Sequence, residues 1–462
     1  MTFLEKTMNN ENGKIGLFTC VTIIIGSMIG SAIFSLSGLT MYKAGPGAIL
    51  SWVLAAAIML VYGLICAELS TRFPKSGGVF VFPSKALGKT QRSSALWGWI
   101  STWGYINANI VAIAFAAIYV ATYLGAGFNL PSGLQVPLAV IAILICLVLN
   151  CIKFSVAGKL NSCLVGGLVV ALAVYVITCF CGGSWDAELL TPFFTQGSNG
   201  TFGFMGAVPT AMVGYGSIVA IAFMVSEVKN PSKNVPKAVL IAMSIVAAIY
   251  ALIILATLGL VSASFLEQNP GMRYIPLYAA CFTKLTAYPW LAKVVSIAAI
   301  LALVTTMLVV LALTARAVQA AAEGGLLPKV FAKSNKFGVP AFASTILAIL
   351  AAIVSCFPAF TEQIVGFGTL FAAVTIAINI VSLYAARKAA RKKEEQASKQ
   401  VEEGIFKAPG KDILPAVALI LIIACYIPDI IAGGWIIWAY TIVWYAIGLL
   451  IFKLCYKPKN LV

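Results

Sequence analysis

The chain has 462 residues, of which 61% are hydrophobic and only 10% are charged. That balance excludes a soluble globular domain and describes an all-α polytopic membrane protein. The absence of histidine excludes a His-based metal site or proton relay, and the net charge of +16 has to be judged by where the charges fall before nucleic acid is invoked.

About twelve spanning helices are expected, over 15–38, 46–69, 94–124, 134–152, 157–181, 203–227, 236–261, 290–320, 340–358, 363–386, 412–431 and 434–456. At about 1.5 Å per residue each can cross about 30 Å of hydrocarbon, some with tilt. Residues 1–14 are polar and carry no cleavable signal pattern, so they read as a short cytoplasmic start. The first span contains Gly26-Ser27-Met28-Ile29-Gly30-Ser31-Ala32-Ile33-Phe34. Gly costs about 1 kcal/mol relative to Ala inside a helix, so two at mid-depth need a reason. Gly and Ser let the backbone unwind, which lipid tolerates only where the chain lines a cavity or is buried in protein. A glycine-interrupted span is therefore a pointer to a transporter's substrate site.

The sixth span repeats the pattern, with Pro209 and then Gly214-Tyr215-Gly216-Ser217. Gly and Pro are common in membrane helices, and small residues also serve close packing. Their recurrence at the first position of two sets of five spans is instead the trace of an inverted repeat. The expected organisation is a ten-helix transport core over 15–386, a linker over 387–411, helices eleven and twelve over 412–456, and a tail over 457–462. The linker, with Glu394, Glu395, Glu402 and Glu403 among its basic residues, reads as a solvated cytoplasmic loop. Both termini and the even-numbered connections carry 27 of the 31 Lys and Arg residues, leaving Lys43, Arg273, Lys284 and Lys293 outside. This bias places both termini in the cytoplasm of a multi-pass protein of the cell membrane and accounts for the net charge without nucleic acid. The cysteines fall mostly inside apolar spans without metal-ligand spacing, so no metal or cofactor is expected. No nucleophile–base pair or phosphate loop is present, which argues against an enzyme. A channel needs no pair of half-helix sites at mid-depth, and a receptor built on such a scaffold would ordinarily add a soluble extension.

Four stretches carry a family resemblance. The first is Gly26 to Phe34. The second is Ala67-Glu68-Leu69-Ser70 through Pro74-Lys75-Ser76-Gly77-Gly78. The third is Glu227-Val228-Lys229-Asn230-Pro231 with Asn234-Val235-Pro236. The fourth runs from Arg316 through Gly325-Leu326-Leu327-Pro328 to Phe331-Ala332 and Pro340. In this order the chain resembles the amino acid–polyamine–organocation permeases over nearly its whole length. The resemblance implies a five-plus-five inverted repeat of leucine-transporter-like architecture, with helices one and six broken.

The polar ends of broken helices suit a zwitterion. Backbone N–H groups of Gly30, Ser31 and Ala32, with the Ser31 hydroxyl, would receive a carboxylate. Carbonyls near Ser27 and Met28, and from Val213 through Gly214 and Tyr215 to Gly216 and Ser217, would receive an ammonium. No Asp, Glu, Lys or Arg is placed at mid-depth of any span. The departures from the family pattern are Ala32 for a glycine, Val219 where many relatives hold an acid, and Gly324 beside Glu323 for an Asp. Val219 argues against cationic substrates. Leu168 falls where some relatives carry a coupling lysine, and Lys159 sits at the cytoplasmic start of that span. The residues thus point to a secondary transporter of neutral amino acids, by exchange, with proton-coupled symport or polyamine antiport as alternatives. A sodium site of carbonyls and hydroxyls, with Thr305 and Thr306, stays open. By resemblance Asn109 contacts substrate, as an alternative to an interhelical hydrogen bond for it or Asn107. Val213 and Val310 fall where arginine exchangers have tryptophans, so an aliphatic lining is implied. Tyr215 either closes the pocket or packs behind it. Glu68 and Glu227, at cytoplasmic helix ends, read as gate or loop-anchoring ion pairs. The partners are an amino acid and the lipid bilayer, with monomer and homodimer both open.

Overall fold

The computed structural model describes residues 15–74, 77–151, 154–220, 225, 228–396, 405–432 and 434–456. Among them, seven helical stretches are long and apolar enough to cross a membrane, and five shorter apolar helices accompany them. A multi-pass membrane protein follows from that alone.

The first apolar run forms two helices, α1 (Leu17–Met28) and α2 (Ser31–Ala44), separated by Ile29 and Gly30 in non-helical conformations. It is followed by α3 (Ala48–Arg72) and a short α4 (Gly78–Ala86), whose entry residue Gly77 has φ +105°, a conformation that favours glycine. The connection 72–92, expected only as a cytoplasmic loop, thus contains a helix. Val79, Phe80, Val81 and Phe82 bury it against α5 (Gln91–Phe128), where a Cβ at Gly98 would lie 2.7 Å from the Phe80 ring. Next come α6 (Gln135–Cys151), α7 (Phe154–Cys181) and α8 (Gly203–Val213). Beyond α8 the chain turns at Gly214 and Tyr215 and forms a single 3₁₀ turn over Gly216–Val219. The remaining helices are α9 (Pro231–Leu258), α10 (Ala263–Gln268), α11 (Pro276–Thr283), α12 (Pro289–Glu323), α13 (Ala341–Ser355), α14 (Thr361–Gln396), α15 (Ile413–Ala432) and α16 (Gly434–Cys455). One parallel β-bridge, Ile15 to Val228, ties the start of the first span to the end of the sixth.

Helix α5 is the central post, packed on α12, α14, α6 and α4. Helix α16 is stitched to it by reciprocal bonds. The Trp103 indole N–H donates to the Trp444 carbonyl (2.8 Å), and the Trp444 indole N–H donates to the Trp103 carbonyl (3.2 Å). Their rings stack at 4.7 Å, and Trp99 stacks on Trp103 while donating to the Gly448 carbonyl at 2.7 Å. Asn107 donates to the Tyr440 hydroxyl at 2.6 Å, so its role is interhelical.

The linker differs most from expectation. Ala, Arg, Lys and Glu are strong helix formers, and α14 continues through Gln396. At the C-terminal end of α3, Glu68 is fully buried and accepts hydrogen bonds from Arg72, from Arg387 through two nitrogens, and from the Ala408 N–H. Arg387 also donates to the Lys411 carbonyl and to Asp412, and Arg391 donates to Asp412. The two ends of the expected solvated loop are therefore drawn together on one buried carboxylate, because Glu68 cannot be ionised there without counter-charges. Arg391, and then Arg387, hold the Asp412 carboxyl below the ordinary carboxylate range. A lowered value means that this ion pair contributes above the ordinary carboxylate pKa and is lost as pH falls through the lowered one. Glu227 lies outside the described residues.

Breaking a buried pair costs about 3–5 kcal/mol, whereas replacing both partners by apolar groups is often close to neutral. Arg387→Met should therefore lower the melting temperature in detergent by several degrees, and Glu68→Leu with Arg387→Met should recover part of the loss. An Arg387→Met protein that melts with the wild type would show that the cluster adds no stability.

Candidate functional site

The breaks after α1 and α8 face each other across a cavity of about 180 Å³. Helix α1 presents Ser27 and Met28 to it, α2 presents Ser31 and Ala32, and the sixth-span break presents Val213, Gly214, Gly216 and Ser217. Helix α5 adds Tyr105, Asn109 and Phe115, and α12 adds Thr306, Val310 and Leu313. Helix α14 supplies Thr369, Thr375 and Ile376, α3 supplies Met59 and Tyr62, and Val79 comes from α4. Val219 is also on the wall. The surface is mostly aliphatic and aromatic, and among the described residues no Asp, Glu, Lys or Arg lines it.

Ten of the twelve expected binding residues lie on this wall, and Gly30 and Tyr215 do not. Gly30 instead sits against α12. A Cβ built there would lie 2.2 Å from the Thr306 hydroxyl oxygen, which is too close for any side chain. That contact lets Thr306 accept a hydrogen bond from the Ser31 N–H at 3.0 Å while donating to the Ala302 carbonyl at 2.9 Å. One of the orphan donors at the start of α2 is thus capped by α12 from 275 positions away in the chain. Thr305, expected beside it as a cation donor, also donates to Ala302 and is buried off the wall.

Tyr215 is fully buried, and its hydroxyl donates to the Trp52 carbonyl at 3.2 Å. Its ring packs edge-on against Trp52, so the packing alternative describes it and the pocket-closing one does not. A Cβ at Gly214 would lie 2.7 Å from the Trp52 ring, so Gly214 is needed for that approach. Asn109 reaches the wall, with one amide N–H donating to the Tyr105 carbonyl at 2.8 Å. Glu68 is away from the cavity in the linker cluster, as a loop anchor. Leu168 is buried off the wall.

Several wall residues carry no sequence signal. Tyr62 and Tyr426 sit singly in apolar runs, and Tyr426 belongs to the final helix pair expected outside the core. Its hydroxyl donates to the Thr369 carbonyl at 3.0 Å, which draws α15 against the cavity. Thr306 was legible as a hydroxyl in a span, but not as a partner of Ser31.

In charge terms, α1 brings its negative carbonyl end and α2 its positive N–H end to one point. A small molecule with a carboxylate beside an ammonium matches that pair of ends without any buried side-chain charge.

The chain matches the family model described as amino acid permease over residues 15–452. It is 26% identical over 478 residues to the branched-chain amino acid permease BcaP of Bacillus subtilis, covering 99% of this chain and 95% of that relative. A branched-chain amino acid permease BcaP from Lactococcus lactis is 27% identical, covering 86% of this chain and 85% of its own length. The serine/threonine exchanger SteT of Bacillus subtilis is 29% identical over 55% of this chain and 57% of its own.

The Gly30–Thr306 contact makes a reciprocal prediction. Overpacking a tight interior costs about 1–3 kcal/mol, so Gly30→Ala should lower the melting temperature in detergent. Adding Thr306→Ala removes the oxygen that is struck and should make the Gly30→Ala change cost less than it does in the wild type, although Thr306→Ala alone also uncaps the Ser31 N–H. Equal melting of Gly30→Ala and wild type would mean that the two helices are not this close.

Proposed function

The chain belongs to the amino acid permease family, and from that premise we propose that it carries neutral amino acids across the cell membrane by alternating access, exchanging one for another. The observation that supports this most is the meeting of two broken helices at a cavity with no ionisable side chain on its described wall. The carboxylate is received at the start of α2, by the Ser31 hydroxyl and the backbone at Ala32, since the Ser31 N–H is taken by Thr306. The ammonium is received by carbonyls of the breaks. The side chain projects toward Val213, Val219, Val310 and Phe115. That surface favours small or medium neutral side chains, since a cationic one would be buried without a counter-charge. The names of BcaP and SteT, for branched-chain and for hydroxylated amino acids, fall within the neutral class.

The same reading takes α1 with α2 as a first span and α8 with the following turn as a sixth. The two head corresponding halves of a five-plus-five repeat within twelve spans, and both termini are cytoplasmic. Exchange is favoured because a transported proton must be held by a titrating group near the site.

The test is counterflow in liposomes. With leucine or serine inside, uptake of the labelled amino acid should exceed uptake into empty vesicles by about tenfold, with little gain from an inward pH gradient. Val219→Asp places a carboxylate on the apolar wall, at a cost of about 2.5–3.5 kcal/mol on insertion scales, and should depress neutral exchange by at least tenfold. A wild type that exchanges arginine or putrescine better than leucine, serine or alanine would contradict the neutral assignment. Strong uptake into empty vesicles that depends on a pH gradient would make the protein a symporter.

A further inference from the structure

Tyr250, on α9, is fully buried and off the cavity wall, yet its hydroxyl reaches both breaks. It lies 2.6 Å from the Met28 carbonyl, the last of α1, and 3.5 Å from the Gly214 carbonyl, the first beyond α8. A phenol has one proton to give. At these distances it goes to Met28, and the Gly214 carbonyl lies beside the same oxygen without receiving that proton. We propose that Tyr250 is a positioning residue for the substrate's ammonium group. Its hydroxyl satisfies the Met28 carbonyl and gives the neighbouring Gly214 carbonyl no proton, so that the carbonyls of the second break receive the ammonium. The inference rests on the reading of the cavity as an amino acid site and revises one part of it, since Met28 is no longer an ammonium acceptor.

The ring cannot swing away from this position. It packs at right angles against Trp52 with centroids 5.1 Å apart, and at 5.4 Å from Tyr215. Trp52 is itself held by its indole N–H donating to the Thr40 hydroxyl at 2.9 Å, and it touches Gly214 directly. Three fully buried aromatic residues from α3, α9 and the sixth-span break thus form one rigid block behind both breaks. The block acts mainly on the carbonyls, with the Gly30 N–H also facing the Tyr250 oxygen, while the Ser31 N–H is capped separately by Thr306 on α12. Perturbing Tyr250 should therefore disturb recognition of the amino group more than recognition of the carboxylate.

The experiment compares Tyr250→Phe, which keeps the ring and removes the hydroxyl, with wild type in counterflow of leucine, or of serine if leucine is not carried. Two competitors are titrated. One is the matching α-hydroxy acid (2-hydroxyisocaproate or glycerate), which lacks the ammonium, and the other is the matching amide, which lacks the carboxylate. Each gives a penalty relative to the parent amino acid. In Tyr250→Phe the hydroxy-acid penalty should shrink by about fivefold, the scale of one hydrogen bond, and the amide penalty should stay within twofold. Two unchanged penalties, or two that change together, would overturn the inference and leave the amino acid reading standing. A wild type that carries no neutral amino acid overturns the reading and the inference with it. If Tyr250→Phe does not accumulate, Trp52→Phe provides the same comparison, because it loosens the ring and keeps the hydroxyl. A smaller shift of the same sign is then expected, and its absence counts against the inference.

Discussion

A backbone buried in lipid must satisfy its own polar groups, and this protein breaks two helices where water cannot help. Much of the surrounding structure answers that constraint. Each break leaves orphan donors on one side and orphan acceptors on the other. The Ser31 N–H is met by Thr306, the Met28 carbonyl by Tyr250, and the chain beyond α8 is held through Gly214 and Tyr215 against Trp52. Both breaks border the cavity, and their opposed polar ends are the basis for proposing a ligand with separated charges.

Such an arrangement needs a rigid frame around it, and here the frame has two reinforcements. One is the indole stitching of α16 to α5, in which each tryptophan closes the other's carbonyl. The other is the charged cluster in which Glu68 gathers α3, α14 and the return segment near Ala408. Neither touches the cavity. Both fix helices that contribute wall residues, Asn109 from α5, Tyr62 from α3 and Thr375 from α14. Packing around the breaks and on α5 is tight enough that single atoms matter, as the missing Cβ atoms at Gly30, Gly214 and Gly98 indicate.

The sequence by itself determined the class of the protein and the positions of both breaks. Apolar runs of spanning length admit almost no alternative to helices in lipid, and the Gly and Ser residues that allow unwinding mark the breaks in plain sight. It also placed most of the candidate site, because residues next to a break are necessarily near it in space. Tertiary structure alone decided what meets the breaks. Thr306 and Ser31 are 275 positions apart, and Tyr250 and Met28 are 222 apart. No local pattern encodes such a pairing. The same reason explains the corrections. Whether Tyr215 lines a pocket or packs behind it depends on where Trp52 stands. Whether Arg387 and Ala408, near the ends of the linker, are solvated depends on a buried carboxylate on another helix. Periodicity and composition report what a segment can bury, and only the fold determines which partner it is buried against.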